Sequence, residues 1–273
     1  VTAGGLEFKN PVLTASGTFV GIFVKTNKLG RKIKTIPLKN WAYDLESIFE
    51  NITDETRIVY LANPNNPTGS MFTRDEFSNF ISKVPEDKLV ILDEAYSLYA
   101  KQHEGFLDGL EFDYPNLIVM RTLSKTHGLA GVRMGYAIGP EELISTVYKV
   151  KLPFEPSTIA QKAAIGAFDD TGFVRETLET NDKSLEIILN KLKELGIDYV
   201  EPHANFVFIA LPGGEIAEEF ARNCYSRSVI VRPLPAFGIP NGIRISTAKV
   251  EDTEYAAGVF DIVYKELKEK FNF

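Results

Sequence analysis

The chain has 273 residues, 44% hydrophobic and 25% charged, an ordinary globular composition with length for one large or two modest domains and a sizeable core. A net charge of −7 with no basic patch argues against nucleic acid as a partner, and Cys224, the single cysteine, leaves no intrachain disulfide and fits a cytoplasmic, reducing setting. No apolar run approaches the roughly eighteen residues of a spanning helix, and the start lacks the basic-then-apolar pattern of a secretion signal.

In chain order, the basic stretch from Lys25 to Lys34 is interrupted by Leu29, Gly30 and Ile33 and reads as a solvated helix end and turn. The runs "RIVYLANP", "LVILDEAY" and "LIVMRTLS" have the pattern of buried parallel strands in an α/β sheet. Between the first two, Thr73 and Glu76 form a capping-box signature for a helix to about Val84. "MGYAIG" predicts a further strand and "PEELISTVYKV" a helix opened by Pro140. After "KLPFEPST" a long amphipathic helical region, about Ile159 to Leu195, is expected, with Arg175, Glu176 and Lys183 on its outer face. Beyond it come "NFVFIAL", a helix near Glu215 to Arg222, "VIVRPL", "GIRIST" and a final helix. The expected fold class is therefore α/β. A mostly parallel sheet domain spans residues 1–156, and a connector helix with a smaller α+β C-terminal domain spans 157–273.

Each of the three central strands ends in polar side chains: Asn65 and Asn66, then Asp93 and Tyr96, then Ser124 and Lys125. Ligands of open parallel sheets bind outside the carboxyl ends of the strands, so these groups are expected to converge on one crevice. On its own loop Lys125 reads equally as a solvated surface lysine; the joint pattern is what points to a site. A ligand served by a lysine, a carboxylate, an amide, a phenol, hydroxyls and an arginine should carry an aldehyde, a basic ring nitrogen, a ring oxygen and a phosphate. Pyridoxal 5'-phosphate carries all four. Lys125 would form the Schiff base, and Asp93 would keep the pyridine nitrogen protonated so that the ring accepts electrons. Asn66 and Tyr96 would hydrogen-bond the ring oxygen, while Thr122, Ser124 and Arg133 would hold the phosphate. Lys125, Asp93 and Tyr96 are the catalytic candidates. No His, Cys or Asp spacing predicts a metal site. His127 reads as a packing or hydrogen-bonding residue, with catalysis the lesser reading, His103 lies in a polar loop, and Trp41 reads as packing.

From about Val12 onward, "NPNNPTG", "LDEAY", "TLSKTHGLAGVRMGY" and "GIRIST" follow one another as they do in fold-type I class I/II aminotransferases, and the chain resembles that family. The resemblance implies a pyridoxal-phosphate-dependent aminotransferase, a homodimer, with Lys125 as the cofactor lysine. It also implies that Arg244 of "GIRIST" grips the substrate α-carboxylate and that Phe19 of "GTFVG" stacks on the cofactor ring. Within the family the chain is most similar to the histidinol-phosphate aminotransferases, through "IPLKNWAYDLESI" and through Arg232 of "VIVRPL". That implies amino transfer between histidinol phosphate and 2-oxoglutarate in histidine biosynthesis, with Arg232 on the substrate phosphate and Asn205 bordering the substrate. Arg232 also reads as a salt-bridging surface residue. The alternative functions are a pyridoxal-phosphate-dependent decarboxylase of a phosphorylated amino acid and an inactive, truncated aminotransferase.

As the resemblance implies, family members carry a longer N-terminal region. It supplies an arm, a tyrosine offered to the neighbouring subunit's cofactor phosphate and a Gly-rich loop opening a helix at that phosphate; the sequence reads as lacking nearly all of it. Two readings of "VTAGGLEFKNPVLTASGTF" stand. Gly4 and Gly5 are a remnant of the phosphate loop, or "GLEFKNPVLTASGTF" resembles the opening hairpin of the flavin-dependent dihydroorotate dehydrogenases. Length of match favours the second. Residues 1–19 are too few for a (β/α)₈ barrel, so no flavin chemistry follows.

Overall fold

The computed structural model describes residues 11–273, so Gly4 and Gly5 lie outside the described residues. Nine elements in the first half of the chain build the larger sheet. They are β1 (Val12–Ala15), α1 (Val20–Lys28), β2 (Ile33–Ile36), α2 (Leu45–Glu50), β3 (Ile58–Ala62), α3 (Arg74–Ile81), β4 (Leu89–Asp93), α4 (Ser97–Ala100) and β5 (Leu117–Thr122). A sixth strand, β6 (Gly135–Ile138), closes one edge. The order is β2-β1-β3-β4-β5-β6, with the first five strands parallel and β6 antiparallel to β5.

The three strands read from apolar runs are the centre of this sheet. Most of their aliphatic side chains are buried, with Ile58, Leu89 and Ile91 half-buried, as expected of a largely helix-covered parallel sheet. Before Ile58 only the helix end and turn at Lys25–Lys34 is predicted; the strands β1 and β2 and the helix α2 carry no expectation. β1 pairs in parallel with both β2 and β3; the resemblance of the first residues to the dihydroorotate dehydrogenases falls partly outside the described residues. The Lys25–Lys34 stretch is the predicted helix end and turn, with Lys25 and Lys28 in the last turn of α1 and Gly30 at φ +64°.

The capping box of α3 forms as predicted: Thr73 N–H donates to Glu76 Oε2 at 2.6 Å and Glu76 N–H to Thr73 Oγ1 at 3.3 Å. The helix stops at Ile81, a few residues short of Val84. After β6 come α5 (Glu141–Val150), α6 (Thr158–Asp169) and α7 (Thr171–Leu195). The single helical region expected from Ile159 to Leu195 is thus two helices. Asp170 leaves the helical conformation between them, and its carboxylate caps α7 by accepting from Phe173 N–H at 2.9 Å.

The rest of the chain forms β7 (Tyr199–Val200), β8 (Phe206–Ala210), α8 (Gly214–Tyr225), β9 (Arg232–Pro233), β10 (Gly242–Ser246) and α9 (Val250–Phe271). The four strands make an antiparallel sheet in the order β7-β8-β10-β9. Each sheet has its own apolar cluster. Leu13, Ile48, Leu61, Phe77 and Leu92 belong to the larger one, and Leu192, Val207, Phe220, Ile243 and Phe260 to the smaller. Trp41, expected to pack, bridges toward the smaller sheet with its ring 4.7 Å from that of Phe208. Among the described residues no helix is long and apolar enough to cross a membrane.

Candidate active site

Register brings the site together. Ala62 at the end of β3 is level with Asp93 at the end of β4, and Asp93 is level with Met120 on β5, so the loops after these strands open side by side. One cavity of about 1040 Å³ lies over them. It is lined by Phe19, Asn66, Asp93, Tyr96, Thr122, Ser124, Lys125 and Arg133, all eight residues expected to meet the cofactor, together with Met134, Tyr136 and residues of α5.

The two asparagines after β3 divide their tasks. Asn65 is consumed by the loop: Nδ2 donates to the Gly17 carbonyl and to Thr68 Oγ1, and Oδ1 accepts from the Thr18 hydroxyl at 2.8 Å. Asn63 pins the far side of the same loop through two bonds to the Phe72 backbone. Asn66 therefore faces the cavity. The Tyr43 hydroxyl donates to Thr18 and accepts from Ala62 N–H, and burial pushes it up to about 12.

At the end of β4 alternate side chains part company. Asp93 lines the cavity, where Oδ2 accepts from the Tyr60 hydroxyl at 2.6 Å and Oδ1 from Ala95 N–H at 3.1 Å. Burial raises its carboxyl above the usual range, opposed by the two hydrogen bonds and by the charge of Lys125. Glu94 turns to the other side, where Oε2 accepts from both Nη2 and Nε of Arg121 at 2.6 and 2.8 Å and Oε1 accepts from Gly109 N–H. Arg121 also reaches Asp108 at 2.6 Å, so this is a closed structural ion cluster.

The loop after β5 is a tight turn. Leu129 N–H bonds the Leu123 carbonyl, Gly128 sits at φ +68° and its N–H bonds the Lys125 carbonyl. Lys125 Nζ lies 5.0 Å from the ring centre of Tyr96, which also meets Phe206 edge-on at 5.1 Å. Lys125 is thus aimed into the cavity rather than at bulk solvent. Thr122 lines the cavity, but its hydroxyl donates to the Met134 carbonyl and accepts from Ser124 N–H, which commits it to the turn. Arg133 adopts the left-handed conformation, φ 62°, and donates to the Ala130 carbonyl at 2.7 Å.

Of the three residues expected at the substrate, Arg244 joins the site directly. Its Nη1 donates to Asn66 Oδ1 at 2.6 Å, its guanidinium lies 4.9 Å over the Phe206 ring, and its Nε is buried without a partner among the described residues. Burial first, and then the charge of Arg232, pulls its basicity down. Arg232 is exposed on β9 as the direct cross-strand partner of Arg244, so both side chains leave the same face of the smaller sheet. Asn205 is not brought to the main cavity. It lines a separate one of about 300 Å³ with Tyr99 and Thr247, and its carbonyl accepts from Thr247 N–H and hydroxyl.

Sequence reasoning missed Tyr60, Tyr43 and Thr18, which hold Asp93 and Asn65 from beneath. It missed Gly21 as well, where a Cβ would run into the Phe19 ring. The signal for Tyr60 is strand register, which places it on the face of Asp93. His127 packs edge-on against Phe168 at 5.6 Å, in keeping with the packing reading. Among the described residues no group of three or more His, Cys, Asp or Glu is placed to hold a metal ion.

Comparison with known proteins follows the same lines. The sequence model of the family described as aminotransferase class I and II matches residues 6–260. The chain is 39% identical over 229 residues to histidinol-phosphate aminotransferase 2 of Hydrogenovibrio crunogenus, covering 83% of this chain and 61% of that protein. It is 38% identical over 246 residues to histidinol-phosphate aminotransferase 1 of Bacillus cereus, covering 88% of this chain and 65% of that one. The crystal structure of histidinol-phosphate aminotransferase from Sinorhizobium meliloti in complex with pyridoxal-5'-phosphate superposes with a TM-score of 0.88 at 29% identity, over 96% of this chain and 72% of that chain. The chain thus spans less than two thirds of the length of these two curated relatives.

Proposed function

Because the chain belongs to the class I and II aminotransferase family, we propose that its crevice binds pyridoxal 5'-phosphate and transfers an amino group between histidinol phosphate and 2-oxoglutarate, a step of histidine biosynthesis. The observation that carries this reading is the convergence of Lys125, Asp93, Asn66, Tyr96, Ser124 and Arg133 on one cavity, with Arg244 tied to Asn66 at its border. The donor set fits the cofactor: an amine for its aldehyde, a carboxylate for its ring nitrogen, an amide and a phenol for its ring oxygen, a hydroxyl and a guanidinium for its phosphate.

When bound, pyridoxal phosphate supplies an electron sink that makes the substrate's Cα–H acidic. Asp93 would hold the proton on the ring nitrogen, which sustains that sink. Asn66 and Tyr96 would hydrogen-bond the ring oxygen, Phe19 would pack on the ring, and Ser124 and Arg133 would hold the phosphate, with Thr122 shaping their turn. The amine of Lys125 takes and returns the Cα proton.

Histidinol phosphate carries a phosphate ester and no carboxylate, whereas a 2-oxo acid carries carboxylates. Two arginines on one face of the smaller sheet serve both in turn, Arg244 at the inner anion and Arg232 at the distal one. The unpartnered Nε of Arg244 supports an anion as its missing acceptor. Division into a cofactor domain to residue 156 and a smaller domain after it belongs to the same reading, supported by the two sheets and their separate cores. So do a homodimer and a cytoplasmic setting.

The test is product analysis with pyridoxal phosphate, histidinol phosphate and 2-oxoglutarate. The reading predicts glutamate formed in step with donor consumed. Carbon dioxide from a phosphorylated amino acid, with no dependence on the 2-oxo acid, would replace it with a decarboxylase.

A further inference from the structure

This inference rests on the reading of Asp93 as the group that faces the cofactor's ring nitrogen. Tyr60 stands two residues before the end of β3, so it shares a face of the sheet with Ala62, the in-register partner of Asp93. Its side chain is 2% exposed, inside a strand otherwise made of aliphatic residues. A phenylalanine would fill that space without a polar group to satisfy, so the hydroxyl needs a reason. The reason is beside it: Oη donates to Asp93 Oδ2 at 2.6 Å, the length of a hydrogen bond to an ionised acceptor. We propose that Tyr60 is a positioning residue of the site, whose hydroxyl holds the Asp93 carboxylate in place, as an ionised acceptor, for the cofactor's ring nitrogen.

The groups that act on Asp93 are Tyr60 on β3, the Ala95 N–H and the Lys125 ammonium; Tyr43 lies within electrostatic reach. Burial drives the phenol of Tyr60 upward, and the charge of Asp93 adds to it, so Tyr60 stays a donor at any working pH. For Asp93 burial acts in the opposite sense to that bond, favouring the neutral acid. Removing the donor leaves desolvation less opposed, and a protonated Asp93 has no charge to offer a pyridinium.

Tyr60→Phe removes one oxygen and keeps the ring. In the cofactor-free chain with carboxyl-labelled aspartate, carbon NMR should show the Asp93 midpoint rising by about one to two pH units. A ring-fluorinated tyrosine at position 60, a stronger donor, should lower the midpoint instead. An unmoved midpoint in both variants would overturn the proposal. Pyridoxal phosphate affinity, read by absorbance, should weaken about tenfold or more in Tyr60→Phe. That loss should vanish in the Asp93→Asn background, and a loss that persists there would also overturn it. If Asp93→Asn alone leaves the affinity unchanged, the cofactor reading of the crevice fails, while the titration still decides whether Tyr60 governs Asp93.

Discussion

At the scale of single residues, Arg232 and Arg244 make the sharpest contrast. Arg244 has a rigid seat between Phe206 and Asn66, so on the proposed reading Arg244→Ala should depress the 2-oxo acid half-reaction most, since the acceptor's inner carboxylate is the anion there and histidinol phosphate carries none. Arg232 is exposed, and on the proposed reading it meets only the distal group. Arg232→Ala should lower kcat/KM for a phosphorylated donor by about ten- to a hundredfold while sparing an unphosphorylated one. Steady-state kinetics on both donors decide it, and equal losses would make Arg232 structural. Asp93→Asn should still take up some cofactor yet turn over poorly, because a neutral pyridine is a weaker electron sink; near-normal turnover would reduce Asp93 to a structural acid. The cavity-lining residues were legible because polar side chains interrupt apolar runs at three strand ends. Tyr60 was not: within "RIVYLANP" a buried aromatic reads as packing, and only its register with β4 reveals the hydroxyl's partner. Asn205 misled for a related reason, since its place before an apolar strand does not say which cavity it borders.

Among the elements, α3 shows local chemistry deciding structure without help. The Thr73 hydroxyl and Glu76 carboxylate satisfy two backbone donors reciprocally, so Thr73→Ala should cost about 1 kcal/mol, seen as a lower melting temperature with activity unchanged. Such a box is readable from four residues. The break between α6 and α7 was not, because helix-forming residues and apolar spacing run on through it, and the stop depends on the Asp170 carboxylate turning to cap the next helix. β1 and β2 were equally hidden. Four-residue strands such as "VLTA" and "IKTI" carry too little period of their own, and the neighbouring strands of the sheet supply what stabilises them.

For the molecule as a whole, the two sheets and the parallel core were foreseen, but not how they are tied together. Arg244 to Asn66 and Trp41 to Phe208 are two of the ties. A third is His203, just before β8, whose N–H and Nδ1 face the Gly69 carbonyl at 3.0 and 3.1 Å while its ring meets His103 at 4.6 Å. Burial, opposed by the Gly69 carbonyl and reinforced by His103, holds His203 below the usual imidazole range. A depressed folded-state value means stability present above about pH 6.5, the unfolded value, and lost as pH falls toward the folded one. Denaturant unfolding should therefore weaken below about pH 6.5, and His203→Gln should flatten that decline; an unchanged slope would place the pH dependence elsewhere. The central claim is that the crevice over β3, β4 and β5 holds pyridoxal phosphate on Lys125. The most direct measurement is borohydride reduction of the chain incubated with the cofactor, followed by peptide mapping. The account predicts one reduced adduct, on Lys125, absent from Lys125→Ala; adduct scattered over surface lysines, or unchanged in that variant, would contradict it.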